Sequence, residues 1–304
     1  MERDRTTFLA TAIVVGTGAL WGFYWLPVRR LAEISLPGAW GTLAIVAAAA
    51  ILLAPAAYTN RRRLARASRL AIASVALGGA AFALYSIGFV YGRVAIIILL
   101  FFLTPVWSVV IGRYVMGWRT PRLRMLAIAI GIAGLAVMLG ADGDFPLPRG
   151  TGEWLALASG MLWSLATTGI RAKSDLGAPE AAFVFALGAA AAALILAPVL
   201  EPWPGKAAVQ SAGSAIALIF ATGGLWWGLS MTALIWATAR LEPARVGILL
   251  MTEVLVGALS AALLAGEYLG AMELIGGALV LLAGVLEVLP LRPVKSAKPT
   301  RRSD

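Results

Sequence analysis

The chain contains no cysteine and no histidine among its 304 residues. Disulfides, thiolate nucleophiles, Cys/His zinc sites and imidazole proton relays are thereby excluded. A proton relay, if one operates, has only carboxylates and tyrosines to use. Charged residues make up 13% of the chain against 61% hydrophobic ones, more apolar surface than a soluble chain of this length can bury. Neither a G-x-x-x-x-G-K-[ST] loop nor a G-x-S-x-G elbow is present, so ATP-driven pumping and serine-hydrolase chemistry lack their residues. No carboxylate pair falls at mid-membrane depth, which leaves an intramembrane enzyme without an acid and a base. No enzymatic activity, cofactor or metal is expected.

What is abundant is the long apolar run. A membrane crossing takes ~20 such residues, and ten segments qualify: 8–28, 38–58, 70–91, 94–114, 123–140, 152–170, 181–200, 213–237, 246–264 and 271–289. The first run continues into further spans without an A-x-A-like site, so it is expected to be retained rather than cleaved. The net charge is +10, but its placement speaks for topology. Of 25 Lys and Arg, 20 fall in one set of alternating loops, which includes both termini, and 5 (Arg29, Arg30, Arg93, Arg149, Lys206) in the other. Basic loops mark the cytoplasmic side, so both termini are expected inside, with anionic lipid as the partner of the charge and no nucleic acid. The expected fold class is an all-α integral membrane protein of ten transmembrane helices.

The chain also repeats itself. Gly18-Ala19-Leu20-Trp21-Gly22 returns as Gly160-Met161-Leu162-Trp163-Ser164, each inside a run of spanning length. Gly78-Gly79 returns as Gly223-Gly224, and Thr104-Pro105-Val106 falls opposite Thr252-Glu253-Val254. Gly117-Trp118-Arg119 falls opposite Gly266-Glu267-Tyr268. Each half holds five spans; because five is odd, the second half enters the membrane with opposite polarity. Two inverted five-helix repeats are expected, at 8–140 and 152–290, followed by a basic cytoplasmic tail at 291–304.

A five-helix unit with a G-x-L-W-G/S core in its first helix resembles the EamA-like repeat of the drug/metabolite transporter superfamily. So do the T-P-V and T-E-V turns, the Gly266-Glu267-Tyr268-Leu269-Gly270 stretch and the Gly-rich last helix. The likeness runs over residues 8 to 290, with Val254 where the family pattern places proline after the glutamate. Within the superfamily the aromatic-rich first helix is most similar to exporters of aromatic amino acids and paraquat. The resemblance implies a secondary transporter in a bacterial inner membrane. It would export amino acids with aromatic or other apolar side chains, and flat organic cations, through a central cavity by alternating access. A channel, a lipid scramblase of the same fold, or a transporter of another metabolite are the alternatives. The oligomeric state stays open, a monomer being compatible.

Helical spacing selects the candidate residues. Trp21 in span one and Trp163 in span six sit mid-run, where an interfacial Trp has no reason to be. With Thr167, they stand on stripes of small, aromatic and hydroxyl residues. Span three adds Phe82, Tyr85 and Ser86, and span eight adds Trp226, Trp227 and Ser230. Such faces suit flat or apolar solutes. Glu253 is the one carboxylate deep within a span, able to hold a substrate ammonium, take up a proton, or brace a kink. Thr104 and Pro105, with Gly78, Gly79, Gly223 and Gly224, are the candidate gating or kink positions; the glycines serve close helix packing equally well. Trp40, Trp118, Trp154, Trp203 and Trp236 lie near run ends and are expected to anchor at the membrane interface.

Overall fold

The structure is a computed structural model that describes residues 2–114, 117, 122–141, 147–172, 176–205 and 212–288. Trp118, Asp142, Asp144, Lys206 and the basic tail 291–304 lie outside the described residues. The described residues form helices and no strand. In order these are α1 (Glu2–Gly22), α2 (Trp25–Ile34), α3 (Ala39–Thr59), α4 (Arg61–Arg66), α5 (Arg69–Tyr91), α6 (Val94–Phe101), α7 (Thr104–Tyr114), α8 (Arg122–Leu139), α9 (Thr151–Ala172), α10 (Ala178–Leu200), α11 (Ala212–Thr222), α12 (Met231–Thr238), α13 (Pro243–Leu250), α14 (Thr252–Leu264) and α15 (Ala271–Val288). A π-helical stretch, Gly223–Ser230, joins α11 to α12.

Among the described residues seven helical stretches are long and apolar enough to cross a membrane: Arg5–Ile34, Ala39–Thr59, Arg69–Tyr91, Val94–Tyr114, Ala178–Leu200, Gly213–Thr238 and Arg245–Leu264. The fifth and tenth expected spans are shorter apolar helices, Met125–Leu139 and Ala271–Leu286. The sixth is α9, a helix of 22 residues that includes Glu153, Ser159, Ser164, Thr167, Thr168 and Arg171, which dilute its apolar character. The outside of the bundle matches a lipid solvent. Along α14 the side chains of Leu255, Leu259 and Leu263 are all exposed, while Glu253, Gly257 and Ser260 face inward. A leucine row of that length has no business facing water.

Packing follows a pattern of exchange between the halves. Helix α5 packs on α9, as α12 and the π-helical stretch pack on α1. Helices α6 and α7 pack on α9, as α13 and α14 pack on α1, while α3 meets α10 and α8 meets α15. Both α3 and α10 carry a proline near their ends, Pro55 and Pro198. The fourth expected span breaks between α6 and α7 just before Thr104, and the ninth expected span breaks at Met251 just before Thr252. In each, the threonine hydroxyl donates back to a carbonyl three residues earlier: Thr104 to Phe101 at 2.6 Å, Thr252 to Leu249 at 2.7 Å. Gly117 and Gly266 both take positive φ, 67° and 63°, the left-handed turn that glycine alone adopts freely.

In lipid, helices associate through close packing rather than water expulsion, so small residues decide where they cross. Helices α8 and α15 meet at Gly134 and Gly276, where a side-chain carbon on either would press on the other's carbonyl. Gly276→Val is therefore expected to cost ~1–3 kcal/mol, the range of core overpacking. That corresponds to roughly 2–5 °C of melting temperature for a chain of this size. Gly16, with nothing within 4 Å of a built Cβ, is the control: Gly16→Ala should hold or slightly raise stability in the same detergent melt.

Candidate functional site

At the junction of both halves lies a cavity of about 160 Å³. Helix α1 supplies Thr17 and Trp21, α5 supplies Phe82, and α9 supplies Trp163. The broken fourth span gives Phe101, Phe102, Thr104 and Pro105, and the broken ninth gives Gly247, Leu250, Met251 and Glu253. Met231 and Leu234 of α12 and Gly284 of α15 complete it. Rings dominate the wall. Phe82 is the hub, edge-on to Trp21 and to Trp163, both at 5.0 Å between ring centroids. Phe101 stands 5.4 Å from Phe82 and stacks on Tyr85 at 4.6 Å.

The one charged side chain of this wall is Glu253, which is 6% exposed. Tyr85 Oη donates to its Oε1 at 2.8 Å, across 168 residues of sequence. A carboxylate so placed accepts hydrogen bonds and attracts positive charge, and no lysine or arginine lines the cavity to offset it. The cavity can therefore bind an apolar or aromatic body with a donor or cationic group turned to Glu253. Among the described residues no group of three or more His, Cys, Asp or Glu could hold a metal ion.

Six of the residues singled out by sequence spacing thus meet in one space: Trp21, Phe82, Thr104, Pro105, Trp163 and Glu253. Tyr85 reaches it through Glu253. The others form the supporting wall rather than the lining, because neighbours occupy their polar groups. Ser86 Oγ is held by Tyr24 Oη at 2.9 Å and Thr42 Oγ1 at 2.8 Å. Ser230 Oγ accepts the Trp21 indole N–H at 3.0 Å, so it positions a lining ring. Trp227 donates to Tyr24 Oη and Trp226 to the Leu20 carbonyl. Thr167 returns its hydroxyl to the Trp163 and Ser164 carbonyls of its own helix.

The glycines sit where the helices touch. A Cβ on Gly79 would run into the Phe185 carbonyl, and one on Gly223 would meet the Ile45 carbonyl. Gly78 leaves room for the Trp163 and Phe185 rings, and Gly224 lies near Leu52. Pro105 does remove an N–H, but the carbonyl it frees, that of Phe101, takes the Thr104 hydroxyl instead of opening to the cavity. The Thr104 carbonyl accepts Ser164 Oγ at 2.8 Å, which fastens the break to α9.

Ion pairs join the helices at one end of the bundle. Arg29 Nη2 lies 3.0 Å from Glu267 Oε1 and also donates to the Gly92 carbonyl at 2.7 Å. Glu267 accepts the N–H groups of Val94 and Ala95, at 2.9 and 3.3 Å, which caps the start of α6. Arg93 pairs with Glu273 beside it. These four residues tie α2, α6 and the approach to α15 together, about two helical turns beyond Trp21. Sequence reasoning did not single out Thr17, Phe101, Phe102, Met231 or Met251 as lining residues. Thr17 lies one turn before Trp21, and Phe101 and Phe102 directly precede the Thr104-Pro105 break, which are the signals that point to them.

Comparison with known proteins agrees with this architecture. No curated protein sequence matches the chain. A solved structure, described only as a crystal structure of a protein, superposes with a TM-score of 0.57 at 18% identity, covering 92% of this chain and 98% of that one. At that identity the likeness is one of fold. Residues 9–140 match the family model of the EamA-like transporter family.

Proposed function

We propose that the chain is a secondary transporter that moves small solutes across a membrane through the central cavity by alternating access. The carrying observation is the cavity itself. It draws its lining from equivalent positions of the two halves, Trp21 with Trp163 and the two broken spans, and lies behind ion pairs at one end. The EamA-like match over residues 9–140 and the exchange pattern of helix contacts support a two-repeat carrier. In this reading the chain crosses the membrane ten times as two inverted repeats, and the shorter α8 and α15 are crossings as well. Both termini face the cytoplasm of a bacterial cell, and the protein exports from its inner membrane. The substrates are amino acids with aromatic or other apolar side chains and flat organic cations, since rings and one carboxylate make up the wall.

The test is counterflow in proteoliposomes. Vesicles preloaded with unlabelled tryptophan or phenylalanine should transiently accumulate the labelled amino acid against its gradient, and saturably. A channel would equilibrate the label without overshoot, and a scramblase would move lipid reporters instead. Topology has its own check. Reporters fused after Arg66 and after Asp144 are expected on opposite sides of the membrane, the first inside; like-sided reporters would rule out the ten-span arrangement.

A further inference from the structure

We propose that α4 and its flanks form a binding site for the phosphate of an anionic phospholipid. The site is a pocket of about 480 Å³ lined by Thr59, Asn60, Arg62, Arg63, Arg66 and Ala67, apart from the central cavity. It sits where two candidate membrane spans come together, at the end of α3 (Thr59) and the start of α5 (Arg69), which is headgroup depth.

Its arginines divide into two kinds. Leu64 turns inward and packs on the core, which fixes α4 against the bundle and leaves its arginines outside. Arg61 is engaged: it lies over the Tyr58 ring at 4.5 Å and donates to the Tyr58 carbonyl at 3.1 Å. Arg63 is engaged too, 3.7 Å from the Glu180 carboxylate, which is 1% exposed at the start of α10. Arg62 and Arg66 make no ion pair or hydrogen bond among the described residues. They are four apart on one helix, hence on one face, and both line the pocket. Two unspent guanidinium forks facing a shared space suit a phosphodiester, which each can grip in two-point fashion.

The occupant is a lipid rather than a soluble anion because of what adjoins the site. Ile51, Leu52 and Tyr58 on α3 and Leu70 on α5 are exposed apolar or aromatic side chains, a surface for acyl chains directly below the pocket's depth. A free phosphate would use the arginines and leave that surface idle. Loop basicity alone, which sets orientation, does not require two arginines to share a pocket while their neighbours are engaged by other groups.

The experiment is native mass spectrometry of the full chain in detergent, titrated with phosphatidylglycerol or phosphatidylcholine. Phosphatidylglycerol is expected to bind as a first equivalent at least about tenfold more tightly, since each basic side chain at the surface contributes several-fold. Arg62→Gln/Arg66→Gln should bring the two lipids to near parity. Arg62→Lys/Arg66→Lys keeps the charge without the fork and should retain part of the preference. Arg240→Gln/Arg245→Gln removes the same charge from another loop and should leave the preference intact. Equal loss in that control would overturn the site in favour of bulk charge. Competition by inorganic phosphate as effective as that by phosphatidylglycerol would overturn the lipid assignment. Equal binding of both lipids to the unaltered chain would overturn both.

Discussion

Glu253→Gln is expected to lower counterflow of ammonium-bearing substrates by roughly 10- to 100-fold while leaving the protein at least as stable. The transport figure follows from losing one charge-assisted hydrogen bond, ~1.5–3 kcal/mol, at about 1.4 kcal/mol per decade. The stability figure follows from desolvation. Glu253 is buried among rings with one hydrogen-bond donor, Tyr85, and no cation lines its cavity. A carboxylate there is a cost to the fold that an isosteric amide relieves. The glutamine oxygen can still accept from Tyr85, so the wall keeps its shape. Tyr85→Phe leaves the charge and removes the donor, and a smaller loss is expected, within about tenfold. Counterflow and detergent melting on the same preparations check both. The alternative role, a brace for the break at Met251, makes the opposite forecast: the melting temperature of Glu253→Gln falls and transport by the folded fraction is unchanged. That pair of results would remove Glu253 from the substrate site.

The feature that makes Glu253 usable was half legible in the sequence. A lone carboxylate in an apolar run is conspicuous, and its register beside the Thr252 turn places it at a helix break. Its partner was not legible, because Tyr85 stands 168 residues away and only the folded chain brings its hydroxyl to Glu253. The same holds for the ion pairs at one end of the bundle. Arg29 reads as one more loop arginine until Glu267 and the α6 terminus are seen around it.

Periodicity was informative where a residue's neighbours are on its own helix and uninformative where they are not. The echo of Trp21 in Trp163 placed both rings on inward faces, and both line the cavity. By the same rule Ser86, Thr167 and Ser230 read as available hydroxyls, yet each is hydrogen-bonded elsewhere. The break in the ninth span has no proline to announce it, since Val254 stands there. What it shares with the fourth span is the threonine that donates back along its own chain. Nor does Gly-Gly-Leu-Trp-Trp-Gly-Leu-Ser advertise a π-helical stretch, although there the successive Trp226 and Trp227 donate to Leu20 of α1 and to Tyr24 just beyond it.

Trp21 and Trp163, which echo one another in the sequence and both line the cavity, give the sharpest test of it as a binding site, and they must be changed differently. Trp21 is 2% exposed, touches Phe82, Tyr24 and Trp227, and donates to Ser230. Truncating a ring so enclosed costs ~3–5 kcal/mol of stability by leaving a hole, so Trp21→Ala would report on folding. Trp21→Phe keeps most of the contact area and removes the indole N–H. Trp163 is only half-buried and edge-on to Phe82, so Trp163→Ala can be tolerated. If substrate rings stack between these walls, Trp163→Ala loses ~0.5–1.5 kcal/mol of ring–ring interaction beyond buried area, and Trp21→Phe, which keeps a ring, loses less. The half-saturating concentration for tryptophan should then rise up to about tenfold, and that for alanine far less. Trp203 supplies the control: it is 71% exposed and meets Trp40 edge-on at 4.6 Å, away from the cavity lining. Trp203→Ala is expected to leave the tryptophan-to-alanine ratio unchanged. A uniform loss across all three variants and both substrates would mean that the rings hold helices together and do not meet the solute.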